Sequence, residues 1–116
     1  SWNTIGKKSA KFSIKNLVLL KKFLDNEKIP MIVVLYPWSY EIVESIPRNN
    51  YLNFMKENLD KNNIQFINLY DTFLSGDLYK NVSDNFIFND VHYNANGNKL
   101  LSNAFFDKIK SRLNLN

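Results

Sequence analysis

Cysteine is absent from the 116 residues, which excludes disulfides, thiol nucleophiles and thiolate metal sites. Histidine occurs once, at His92. One imidazole with scattered carboxylates such as Asp71 and Asp90 is a poor zinc set, so no metal is expected, and no organic cofactor is implied. No apolar run approaches the roughly 18–20 residues of a membrane span. Residues 1–11 are polar and lack the apolar core of a signal peptide. No RNP, helix-turn-helix or zinc-finger pattern points to nucleic acid. Nothing in the composition names a compartment.

What is present is a chain long enough for one modest core, read as a single domain over 1–116 or the C-terminal part of one. The net charge of +4 is uneven: residues 1–28 hold seven lysines against Asp25 and Glu27. Lys11, Lys15 and Lys22 share one edge if this segment is helical. Such an edge can attract an anionic polymer, but a solvated helix face is the ordinary reading. Neither nucleic acid nor membrane is therefore expected as a partner.

Residues 12–28 read as a helix with Phe12, Leu17, Leu20, Phe23 and Leu24 on its inward face. The Ile29-Pro30 step ends it, because the position before proline disfavours the α region. Met31-Ile32-Val33-Val34-Leu35-Tyr36 is apolar and β-branched without alternation, as in a strand covered on both faces. Residues 47–62 read as a second helix with Tyr51, Leu52, Met55 and Leu59 inward. Residues 64–69 read as a second strand, and 70–94 mostly as loop with a turn near 72–74. A last helix, 95–113, turns Leu101, Ala104, Phe105 and Ile109 inward behind Asn94 as N-cap.

This order predicts an α/β fold: a three-layer, flavodoxin-like parallel sheet with flanking helices, in which 31–36 and 64–69 are parallel neighbours. Two strands alone are marginal. The chain also begins on a helix with no strand before it, so the sheet reads as incomplete at its N-terminal side. Upstream strands, or another chain, are expected to complete it.

In an open α/β sheet, ligands bind beyond the carboxyl ends of the strands. Three segments should meet there: 36–40, containing Trp38 and Tyr40; 70–72; and 89–94, which runs into the last helix. Asp90 and His92 are two residues apart in the third. A carboxylate at that spacing can fix one imidazole nitrogen and leave the other as a base near neutral pH. A surface Asp and His in a polar loop is the plain alternative. Trp38 and Tyr40 are candidates to line an acyl or sugar pocket, with Trp38 as a cap on the core the competing role. Asp71 either orients a substrate or binds loop amides.

The run Asn89-Asp90-Val91-His92-Tyr93-Asn94-Ala95-Asn96-Gly97-Asn98-Lys99-Leu100-Leu101 resembles the last block of SGNH/GDSL hydrolases. That block has an Asp and a His two or three positions apart, then a polar residue, a glycine and an apolar helix. Asp90 and His92 match the catalytic pair, Asn94 the polar capping position and Gly97 the glycine. Residues 33–38 are similar to the strand and loop preceding the block in some bacterial members, and 64–71 fits the strand ending in an acidic residue. The resemblance spans about 12–112 and implies hydrolysis or transfer of an ester-linked acyl group, with carbohydrate esters a substrate class.

Two parts of the family pattern are absent. No Gly-Asp-Ser occurs; Ser75-Gly76-Asp77 has the same residue types in another order, in a loop. No residue here is assigned to the oxyanion hole. The expectation is the C-terminal part of a serine esterase that supplies His92 and Asp90, with serine and oxyanion donors outside these residues, so that the chain alone is inactive. The alternative is a non-catalytic α/β interaction module that completes its sheet with another chain.

Overall fold

Residues 7–26 contain neither proline nor glycine and are rich in Lys and Leu, so helix is the cheapest backbone for them. In the computed structural model, which describes residues 1–113, they form α1 (Lys7–Asn26), preceded by a π-helical turn over Trp2–Gly6. The remaining elements are β1 (Ile32–Leu35), α2 (Ser39–Val43), α3 (Ser45–Lys61), β2 (Gln65–Asn68), a 3₁₀ turn (Tyr70–Phe73), α4 (Leu78–Asn85) and α5 (Ala95–Arg112).

Both helix-to-strand junctions use the same device. Lys28 after α1 and Asn63 after α3 take left-handed φ values of 58° and 54°. Ile29 N–H then closes on the Leu24 carbonyl, and Ile64 N–H on that of Leu59, each at 2.9 Å. Lys28 and Asn63 also donate to the carbonyls of Asp25 and Asp60, completing a Schellman closure that satisfies the last carbonyls of each helix.

β1 and β2 pair as a two-stranded parallel sheet. The expected neighbour relation of 31–36 and 64–69 is therefore present. The expected three-layer, flavodoxin-like sheet is not: the protein is mostly helical, and these are the only strands among the described residues. The physical reason lies in the sequence between the elements. Only two segments carry an apolar, β-branched run, and stretches read as loop turn into short helices instead. Ile32, Val33 and Val34 are half-buried rather than covered on both faces.

The chain divides into two compact units, and each strand is divided between them. The first unit (1–33 and 46–66) buries Ala10 and Ile14 of α1, Met55 and Leu59 of α3, and Ile64. Trp2 sets its ring edge-on against Tyr51 and Phe54 of α3. The α3 face falls where the periodicity placed it. The α1 face does not: the covered positions are Ala10, Ile14, Leu17 and Leu24, whereas Phe12, Leu20 and Phe23 point outward.

The second unit (34–45 and 67–116) is built on Ile42, Phe73 and Phe86, with Leu74, Leu78, Val82, Tyr93 and Leu101 packed around them. α4 begins at Asp77, whose carboxylate accepts the Lys80 N–H at 3.1 Å. In α5, Leu101, Ala104 and Ile109 are part-buried, and Phe105 is exposed.

Candidate functional site

The segment between α4 and α5 is a tight hairpin rather than an open loop. Phe86 and Tyr93 form an antiparallel bridge, and Ile87 N–H donates to the His92 carbonyl at 3.0 Å. Asp90 N–H returns to the Ile87 carbonyl at 3.0 Å, closing a four-residue turn. Asn89, third in that turn, has φ 56°, a left-handed conformation that asparagine tolerates better than most residues.

The hairpin is anchored from behind. The Asn94 side chain accepts the Gly97 N–H at 3.0 Å, capping α5, and its amide donates to the carbonyls of Asp84 and Phe86. Gly97 is buried because α5 starts against the end of α4: a Cβ here would stand 2.1 Å from the Asn85 carbonyl oxygen and 2.8 Å from the Tyr93 ring. Asn94 and Gly97, matched by resemblance, thus have a shared physical role in setting where the hairpin leaves the helix.

On this support Asp90 and His92 meet. Asp90 Oδ1 lies 2.6 Å from His92 Nδ1 and accepts the His92 backbone N–H at 3.1 Å. One carboxylate oxygen therefore holds both the ring and the main chain of the same residue. The bond from the imidazole, with the backbone N–H second, pulls the Asp90 carboxyl below its usual value of 3.8. With Asp90 ionised, the hydrogen bond is donated by Nδ1–H, and in the neutral ring that tautomer leaves Nε2 without a proton. The His92 side chain is 77% exposed, and no hydrogen bond to Nε2 occurs among the described residues.

Trp38 and Tyr40 come together with each other, their rings edge to face with centroids 6.0 Å apart. Both are substantially exposed, and Trp38 does not cap a core. Burial, with the carboxylates of Glu41 and Glu44 nearby, raises the Tyr40 hydroxyl above its ordinary range. Asp71 is exposed in the 3₁₀ turn. Among the described residues no cluster of three or more His, Cys, Asp or Glu gathers.

Three residues that the sequence reading passed over hold these pieces in place. Tyr93, next to His92, donates its hydroxyl to the Pro37 carbonyl, and its ring lies 6.1 Å from that of Tyr36. It thereby straps the histidine hairpin to the Trp38 segment. Burial raises its hydroxyl far above the ordinary range, so it remains a donor at any physiological pH. Glu41 is 5% exposed and accepts the Trp38 N–H at 2.9 Å and the Tyr70 hydroxyl at 3.3 Å. The signal for Glu41 was its place three residues into a short helix, where a carboxylate can reach back to the capping N–H. Tyr70 and Tyr93 carried no distinguishing pattern.

No protein-family model, curated protein or solved structure matches this chain.

Proposed function

We propose that this chain supplies the general base and its orienting carboxylate to an acyl-ester hydrolase or transferase, acting on a serine that these residues do not provide. The observation that carries the reading is the 2.6 Å contact between Asp90 and His92 Nδ1, with the ring exposed. A general base needs one nitrogen fixed and the other accessible.

In the proposed reaction, His92 Nε2 takes the proton of a serine hydroxyl as its oxygen attacks the ester carbonyl. The same nitrogen returns that proton to the leaving alkoxide oxygen. The imidazolium formed between these steps is stabilised by Asp90, which stays ionised. Water then repeats the sequence on the acyl-serine and releases the acid. Trp38 and Tyr40, half-exposed and strapped near the hairpin by Tyr93, are the proposed contacts for the substrate, a small or carbohydrate ester.

The test uses a fluorophosphonate probe in the assembly or longer polypeptide that carries the serine. His92→Ala should slow serine labelling and ester turnover by about 10²–10⁴-fold, the usual contribution of a positioned base. The 116-residue chain alone should show no labelled serine. Unchanged turnover in His92→Ala would return the chain to the interaction-module reading, and labelling of a serine within the chain would place the nucleophile here.

A further inference from the structure

The exposed face of α1 is the largest departure from what the apolar spacing suggested. Phe12, Leu19 and Phe23, at i, i+7 and i+11, share a face and are 65%, 56% and 60% exposed, with Leu20 beside them at 46%. This face lies opposite the covered stripe of Ala10, Ile14, Leu17 and Leu24. Along its flank, at seven-residue intervals, run Lys8, Lys15 and Lys22, with Lys11 behind them; all four are exposed. None has a carboxylate within 4 Å among the described residues, whereas Lys21, outside this row, is paired with Asp25. Three turns of helix thus present exposed apolar side chains, with Asn16 set between Phe12 and Phe23, bordered by an unneutralised cationic row.

We infer that α1 is a docking face for an anionic lipid bilayer, lying in the plane of the interface. The two halves of the face decide among occupants. A second copy would bring one lysine row into the field of another. A nucleic acid would satisfy the lysines but leave two phenylalanines and two leucines in water. An anionic bilayer takes both: ammonium groups reach the headgroup phosphates while Phe12, Leu19 and Phe23 enter the acyl boundary. No helix among the described residues is long and apolar enough to cross a membrane, so the contact is peripheral. The inference does not depend on the esterase reading.

The experiment is co-sedimentation of the intact chain with vesicles of phosphatidylcholine containing a minority of phosphatidylglycerol, against vesicles of phosphatidylcholine alone. Binding should require the anionic lipid and fall as salt rises. Charge reversal at Lys8, Lys15 and Lys22 should abolish it, since each surface lysine contributes about fivefold. Phe12→Ser with Phe23→Ser should weaken it about tenfold or more, with the helical circular dichroism unchanged because both side chains are already exposed. No binding, equal binding to neutral vesicles, or binding indifferent to the phenylalanines would each overturn the inference. So would a dimer in sedimentation velocity that the phenylalanine variant dissolves, since the face would then belong to a second copy.

Discussion

Glu41 and Asp90 sit in the same unit, each two or three residues from the backbone N–H it accepts, yet their surroundings separate their roles. Glu41 is buried, takes the Trp38 N–H and the Tyr70 hydroxyl, and fixes one loop to the 3₁₀ turn. Asp90 is exposed and takes the ring and main chain of His92. A buried acceptor holds structure, because removing it strands its donors out of water. An exposed one can be lost with little effect on folding, because water replaces it. The lesson is that hydrogen-bond geometry alone does not mark a site; the same geometry at different depth does different work.

That contrast can be broken by substitution. The largest expected effect belongs to neither carboxylate. Gly97→Ala drives a Cβ into the Asn85 carbonyl, a backbone atom that cannot swing away, and should cost about 3 kcal/mol or more of stability by urea unfolding. A cost below about 1 kcal/mol would mean that α5 can shift and that the hairpin is not fixed by this approach. Glu41→Ala should follow at about 2–3 kcal/mol, because Trp38 N–H and Tyr70 OH lose a buried carboxyl acceptor. Trp38 fluorescence should change with it, as the capping N–H is released.

Asp90→Asn should leave the unfolding midpoint in place while releasing the His92 ring from its carboxylate partner. The sign follows from the lowered Asp90 value. Its folded form favours the carboxylate, so the contribution is complete above the ordinary carboxylate range and is lost as pH falls through the depressed value. Carbon-detected NMR of Asp90 should show a midpoint below 3.8, rising toward it in His92→Ala. A midpoint at the ordinary value in the intact chain would mean that the contact is not populated in solution.

Much of this arrangement was legible in the residues, and the failures have physical causes. The two β-branched runs announced the strands and their parallel pairing. Tyr51, Leu52, Met55 and Leu59 announced the covered face of α3, and Asn94 with Gly97 the start of α5. The contact of Asp90 with His92 was legible from spacing in a turn. The layer count was not, because an unalternated apolar run looks the same whether a second layer covers it or not. The face of α1 was misread because the helix has two apolar faces, and periodicity cannot choose between Phe12 and Phe23 on one and Ala10 and Ile14 on the other. α2 and α4 escaped because five and eight residues are too few to show a period. Tyr70, whose hydroxyl Glu41 accepts, comes from a distant segment, which no local pattern reveals.

In this reading Asp90 holds the neutral His92 ring with Nδ1 protonated and Nε2 bare. A single histidine makes the measurement unambiguous: ¹⁵N-edited long-range correlation spectra of the neutral imidazole. The Nδ1 signal is expected at the protonated, pyrrole-like position and the Nε2 signal at the bare, pyridine-like position, with the pattern collapsing toward the tautomer average in Asp90→Asn. A dominant Nε2–H tautomer in the intact chain, or averaged signals that Asp90→Asn leaves unchanged, would contradict it and leave His92 as a surface histidine in a polar turn.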